Sequence, residues 1–456
     1  MTQPSAIRLS VNLDIEGTSL GIGQLAWSRD DKLAAFEYSA SALDSRLAIS
    51  PFKAKLAPGV IMATRSPFEG LHGVFADSLP DGWGRLLVDR QILRNGGNPA
   101  IMTPIDRLAI VGSHGMGALT YAPEQAIGAP NNEDSIDLDW FANQAEMILQ
   151  GHSSEGISKL LDASGGSAGA RPKIMALRDP KTKAFHVDHE NTGKNQLEHW
   201  LIKLKHRQEE LDFGRVEHAY AQMAKAAGID FPHSVLIADT RGSAHFAVQR
   251  FDRTEAGRLH TQTLAGLVHA DFRTPSLDYE HLLLITRMLS KDQAQVEEAF
   301  RRVVFNVLAG NRDDHAKNHA FLMNKNGQWQ LSPAYDITPS RGPGGEHNMT
   351  VAGEGRTPSL RHFVAIAEKA EIPKDKANII IDQVTEAVSF WQTYADTSGI
   401  GKAETSLIAK LIDSYAKSAL NKKGSIVKDD APKKSTPSRR KSSSPKVGKG
   451  SGYDPW

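Results

Sequence analysis

The chain reads as an α+β protein of two lobes with a small α/β subdomain ahead of them. Three observations predict this. Its 456 residues exceed what one core of ordinary size holds, so the chain must divide. Apolar and polar residues alternate in the strand period through the N-terminal stretch and again up to about residue 253. Beyond that the period becomes helical, with YEHLLLITRMLS and QAQVEEAFRRVVFNVLAG as its clearest instances.

Taken in order, IRLSVNLDIE, LGIGQLAW and LAAFEYS alternate as strands. LPDGWGR (79 to 85) reads as a turn entering the helix WGRLLVDRQIL. IDRLAIVGSHGMGALTYAP (105 to 123) combines a helix turn, a glycine-rich loop and a strand. These make residues 1–125 one small subdomain. Residues 126–253 follow as a second unit. It opens with AIGAPNNEDSID, a loop by composition, and the helix IDLDWFANQAEMILQG. SGGSAGARPKIMALR is then a glycine-rich loop into a strand, and QLEHWLIKLKH a buried strand. RVEHAYAQMAKAAGI places Val216, Tyr220, Met223 and Ala227 on one helix face, and SVLIAD and HFAVQRFDR form a strand pair. Residues 254–420 are the helical lobe, interrupted by RDDHAKNH (312 to 319) and the hairpin FLMNKNGQWQLSPAYD. A strand-rich half opened by a loop and followed by a helical half is the order of a protein-kinase-like fold, although other folds share that order.

Composition is that of a globular chain, 40% hydrophobic and 23% charged. Nothing approaches the roughly 20 apolar residues that span a bilayer. The N-terminus lacks the basic-then-apolar pattern of a secretory signal. Cysteine is absent, which excludes disulfides, thiolate catalysis and cysteine-bound zinc, and suits a cytoplasmic protein. Residues 421–456 carry ten Lys or Arg and three Asp, a charge of +7 against about −6 for the rest. That tail is expected to be disordered, as a solubilising extension or an electrostatic hold on nucleic acid.

Phosphoryl transfer from ATP asks for phosphate-binding backbone and lysine, metal ligands, and a carboxylate to orient the attacking hydroxyl. In a kinase catalytic loop an asparagine follows the catalytic aspartate by five positions. Asp313 and Asn318 have that spacing; Asp314 and Asn318 fall one short. A second aspartate, Asp336, arrives past the NKNG turn and could hold Mg²⁺ together with Asn318. Lys203 lies in the strand WLIKLKH, and Glu217, in the helix that follows, could pair with it. Lys205 shares that strand face. The loop SGGSAGARPK sits where a phosphate-covering loop belongs, although it matches no full phosphate-loop motif. His315 and His319 are spaced i, i+4, as a helical metal pair would be, but no third ligand is evident. Asp314 alone reads as a cap or turn residue, and an isolated Lys203 would read as a snorkelling strand lysine.

These strings resemble the HipA family of toxin kinases over about residues 8 to 400. FEYS, FADSLPDGWGR and DRLAIVGSHGMGALTY are similar to its N-terminal module, and GARPK, WLIKL, VEHAYAQMAKAAGI, FAVQRFDR, NRDDHAKNHAFL and LSPAYD to its kinase module. The resemblance implies an ATP- and Mg²⁺-dependent serine/threonine protein kinase, the toxin of a type II toxin–antitoxin pair. Such a kinase arrests growth by phosphorylating a protein of the aminoacyl-tRNA synthetase class. It also implies a HipB-like helix-turn-helix antitoxin as partner, through which the pair binds operator DNA. By residue, Asp313 is implied as catalytic base, with His315, Asn318 and Asp336 at nucleotide and metal and Lys203 on the phosphates. Ala168, Gly169, Ala170, Arg171 and Lys173 are implied at the ATP phosphates. Gln249, Arg250, Phe251 and Asp252 would hold adenine by backbone groups and ribose by the carboxylate. The family's autophosphorylated loop serine falls here on Gly166, leaving Ser167 as the candidate and Ser164 close by. Two other classes fit the same residues: a nucleotide-binding pseudokinase that acts as corepressor, and a small-molecule kinase.

Overall fold

The computed structural model describes residues 8–128, 136–152, 155–166, 169–188, 197–205, 211–240, 242 and 244–421. The N-terminal module contains β1 (Arg8–Ile15), β2 (Thr18–Ser28), β3 (Leu33–Tyr38), α1 (Ala40–Ser45), β4 (Val60–Met62), α2 (Gly73–Ala76), α3 (Gly82–Arg94), α4 (Pro104–Val111) and β5 (Leu119–Ala122). Its strands form an antiparallel sheet in the order β4-β3-β2-β1-β5. In β1 the alternation is complete: Leu9, Val11, Leu13 and Ile15 are buried and the residues between them are not. One face is therefore core and the other is wetter. Helix α4 starts at a capping box between Thr103 and Asp106, with Pro104 in its first turn.

The second unit contains α5 (Leu138–Leu149), α6 (Ile157–Ser164), β6 (Lys173–Arg178), β7 (Phe185–Val187), β8 (Glu198–Lys203), α7 (Phe213–Ala226), β9 (Ser234–Ala238) and β10 (Ala244–Gln249). Its sheet runs β7-β6-β8-β10-β9, all antiparallel. The predicted apolar stripe, Val216, Tyr220 and Met223 on α7 with Ala227 at its C-cap, is buried as its spacing predicts. Gly214 lets that helix close on β10, because a Cβ there would sit 2.2 Å from the carbonyl oxygen of Ala244.

The helical lobe begins with the short strands β11 (Arg253–Thr254), β12 (Gly257–Arg258) and β13 (His260–Thr263), then α8 (Leu264–Val268), β14 (Leu277–Asp278), α9 (Tyr279–Ser290) and α10 (Gln293–Leu308). The hairpin β15 (Ala320–Met323) and β16 (Trp329–Leu331) pairs with β13. β17 (Met349–Thr350) and α11 (Leu360–Lys369), α12 (Lys374–Ser389), α13 (Trp391–Ser398) and α14 (Lys402–Leu420) complete it. Asp292 caps α10 by accepting the amide of Ala294. The end of α10, Val303 to Leu308, is buried on all sides, so the loop that follows departs from a fixed point.

The sequence boundary at residue 125 does not separate cores. The N-terminal sheet shares one hydrophobic cluster with α7 and the C-terminal helices. Trp83 and Leu87 of α3 belong instead to the cluster beneath β6 and β8, beside Ile174, Trp200 and residues of α5 and α6. The module is thus packed into both lobes, and its α3 reaches the glycine-rich loop. The basic tail beyond Asn421 lies outside the described residues.

Candidate active site

A cleft of ≈ 380 Å³ opens between the β6–β10 sheet and the loop after α10. Lys203 ends β8 and stands opposite Lys173 on β6 in the strand register, so two buried lysines face one another on the sheet. Glu217, one turn into α7, is 1% exposed and forms an ion pair with Lys203. Its other oxygen is 3.3 Å from Arg171 of the glycine-rich loop. Lys203 also contacts Asp336, which follows the β15–β16 hairpin. One ammonium therefore joins strand, helix and opposite lobe. Lys205 is not its rival: its ammonium donates to the carbonyl of Leu211, 2.8 Å away.

Electrostatics follow the pairing. Burial would lower the Lys203 ammonium, but Asp336 and Glu217 offset this and raise it. Burial would raise the Asp336 carboxyl, yet Lys203 and Lys173 hold it well below the usual carboxylate range. Lys173 lacks such complete compensation, and burial pushes it down to about 8. Asp336 also sits in the left-handed backbone region (φ 51°), uncommon for a residue with a side chain and frequent at functional sites.

The two neighbouring aspartates of RDDHAKNH have opposite surroundings. The Asp313 side chain is 60% exposed and lines the cleft, and Asp314 is fully buried. Burial of its inner part raises the Asp313 carboxyl, with His315 acting downward and Asp336 upward. The Asn318 amide nitrogen donates to the Asp313 carbonyl at 2.8 Å and closes the loop. Asp314 is more than the expected cap or turn residue. It accepts the Tyr279 hydroxyl at 2.6 Å, the His347 ring at 2.7 Å and the Asn348 amide at 2.8 Å. His315 lines the cleft, whereas His319 is buried against the edge of Tyr279. The two histidines do not converge: burial lowers His319 to about 3, as for a neutral core ring.

Of the other expected residues, Gly169, Ala170, Arg171, Gln249, Arg250 and Phe251 line the cleft. Asp252 is a correction. Its carboxylate has no exposure and is not on the cleft wall; it accepts from Arg250, Arg253 and the Gly117 amide. A ribose contact through that carboxylate does not fit, because the strand turn directs it into the module interface. Ala168 and Ser167 lie outside the described residues. Ser164 is buried, accepting the Trp83 indole N–H at 3.2 Å and donating to the Lys173 carbonyl at 2.9 Å, so its hydroxyl is sequestered.

Three charged cleft residues, two aspartates and a lysine, carry no signal in the sequence patterns above. Asp77 and Asp81 come from the N-terminal FADSLPDG segment, and Lys317 from RDDHAKNH itself. Lys317 lies 2.9 Å from Asp81 and 4.3 Å from the Phe272 ring centre. The charge density of RDDHAKNH could have flagged Lys317. No local signal could have brought residues 77 to 81 to it.

The donor set suits a hard cation. Asp336 offers carboxylate oxygens, and with the Asn318 amide nitrogen engaged its oxygen is the end left for a metal.

Two family models match the chain, the HipA N-terminal domain over residues 13–122 and the HipA-like C-terminal domain over 165–391. The chain belongs to the HipA family. The second match starts at the glycine-rich loop and encloses every cleft residue from Gly169 to Asp336. A Sinorhizobium fredii protein named "Putative kinase Y4dM" is 27% identical over 323 residues, 66% of this chain and 71% of that protein. A Haemophilus influenzae protein named "Putative kinase" is 28% identical over 185 residues, 37% of this chain and 51% of that one. Among solved structures, the Shewanella oneidensis HipA, in a complex with HipB and operator DNA, matches with a TM-score of 0.65. That match has 16% identity and covers 90% of this chain and 96% of the other. The fold is thus the two-lobed, kinase-like HipA fold.

Proposed function

We propose that this HipA-family chain is an ATP- and Mg²⁺-dependent serine/threonine protein kinase. It would be the toxin of a toxin–antitoxin pair and would stop growth by phosphorylating a protein of the aminoacyl-tRNA synthetase class. The observation that carries the kinase reading is the three-way junction of Lys203 with Glu217 and Asp336, in a cleft that Asp313 and Asn318 also line. Lys203, fixed by Glu217, would hold the ATP phosphates. Gln249 to Phe251 would receive the adenine. Asp313, on the open side of the cleft, would accept the proton of the attacking hydroxyl. Bound Mg²⁺, held by Asn318 and Asp336, would neutralise phosphate charge. The kinase names of the relatives support a phosphotransferase. The solved HipA–HipB–operator complex of the Shewanella protein supports a HipB-like antitoxin and, through it, operator DNA as partners. Among the described residues no helix is long and apolar enough to cross a membrane, and the proposed site of action is the cytoplasm.

The test is transfer of label from γ-labelled ATP in a lysate of the host, followed by identification of the labelled band. Asp313→Ala is expected to abolish transfer and growth arrest while leaving the melting temperature unchanged. Full toxicity in that variant removes the assignment. Label appearing only in small molecules replaces the protein substrate with a metabolite.

A further inference from the structure

The mechanism leaves Asp81 without a role, although it lies among the groups expected to bind phosphate. It stands at the N-cap position of α3, where an aspartate ordinarily accepts its own helix amides, yet its side chain caps nothing there. One oxygen accepts the Gly169 amide of the glycine-rich loop, and the other lies 2.9 Å from the Lys317 ammonium of the catalytic loop. A backbone N–H from a glycine loop and a lysine ammonium are what a phosphate oxygen seeks. The carboxylate is charged, because Lys317, its hydrogen bond and the Gly169 amide outweigh the burial that would raise it.

We propose that Asp81 is an internal stand-in for a nucleotide phosphate, which the terminal phosphates of ATP displace. The inference rests on the kinase reading and adds a coupling between that site and the N-terminal module. A carboxylate and a phosphate cannot share Gly169 N–H and Lys317, since like charges at that separation repel. The turn that carries Asp81 is fastened to the same loop. The Trp83 amide donates to the Gly169 carbonyl at 3.0 Å. Gly82, at φ +42°, lies so close that a Cβ there would be 2.6 Å from the Ala170 Cα. Displacing Asp81 therefore loosens the module's hold on the glycine-rich loop. By linkage, whatever strengthens that hold weakens ATP binding by the same factor.

The experiment measures binding of AMP-PNP with Mg²⁺, and of AMP, to the full chain, with amide exchange followed at Trp83. Asp81→Asn is expected to tighten AMP-PNP binding by roughly 5- to 50-fold, the size of an ordinary coupling between sites. AMP, which lacks the outer phosphates, binds the variant and parent alike. In a Lys317→Met background the gain disappears, and in the parent chain AMP-PNP but not AMP speeds exchange at Trp83. Unchanged or weaker AMP-PNP binding to Asp81→Asn, with AMP binding intact, overturns the assignment and makes Asp81 a positioning or metal-binding group. A gain that persists without Lys317 also overturns it, as general electrostatics. A parent chain that takes neither nucleotide removes the kinase reading itself.

Discussion

The glycine-rich loop and the catalytic loop face each other across one cleft but are held in opposite ways. The catalytic loop is fixed from beneath by its own lobe. Asp314 ties it to Tyr279 on α9 and to His347 and Asn348, and Asn306 on α10 donates to the same Tyr279 hydroxyl at 2.8 Å. The glycine-rich loop has one ion pair to its own lobe, Arg171 with Glu217, and is otherwise fixed from outside, by Asp81, Gly82 and Trp83 of the N-terminal module. A buried, fully paired network has one arrangement, because breaking any member leaves a desolvated polar group. A loop pinned by a neighbouring module can be released whole when its few contacts go. On the proposed kinase reading, the Asp313 side of the cleft is therefore the rigid reference, and the glycine-rich side is the adjustable one.

Changing Asp313 to Asn should have the largest effect. Loss of a positioned base costs ~10²- to 10⁴-fold in rate, and the melting temperature should hold, because that side chain is largely exposed. Its neighbour should behave in reverse. Removing the buried Asp314 carboxylate with Asp314→Ala should lower unfolding free energy by ~3–5 kcal/mol, read by urea titration, because His347 loses its partner. Equal stability losses at 313 and 314 would erase the contrast between them.

Smaller effects belong to the nucleotide side. Lys173, pushed down to about 8 by burial, loses its charge as pH rises through that value. Binding a phosphate then requires taking up a proton, so AMP-PNP affinity should fall by up to ~tenfold per pH unit above 8. Lys173→Arg should flatten the profile. The folding equilibrium moves the other way over that window: the unfolded lysine, near its ordinary 10.5, holds more protons than the folded one, so this group's contribution to stability rises with pH. Trp83→Phe, which removes the indole hydrogen bond to Ser164 and leaves part of a buried site unfilled, should cost ~1–3 kcal/mol and should speed amide exchange in the glycine-rich loop more than in the Asp313 loop.

Particular residues show why some of the site was legible and some was not. The five-residue step from Asp313 to Asn318 is a local constraint: the amide closes back on the Asp313 carbonyl within one short loop, so spacing alone points to the aspartate proposed here as the base. The helical period of α7 placed Glu217 one turn into the helix after the Lys203 strand, near enough in sequence for the pair to be expected. Asp252 was misread because its motif neighbours Gln249 to Phe251 do reach the cleft. Its own carboxylate is claimed by Arg250 and Arg253 and by the amide of Gly117, from a segment 135 positions away. Asp81 was invisible for the same reason, since an aspartate in LPDGWGR satisfies every local rule for a turn.

By itself the sequence determined the strand and helix periods, the α+β two-lobed order, and the loop that carries Asp313 and Asn318, because each depends on residues a few positions apart. Only the tertiary structure decided which carboxylates meet which cations. Lys203 reaches Asp336 across 133 positions, and Lys317 reaches Asp81 across 236. Such pairings depend on how sheets and helices share a core. Here the N-terminal module packs into both lobes, and so sets an aspartate inside a cleft that the rest of the chain builds.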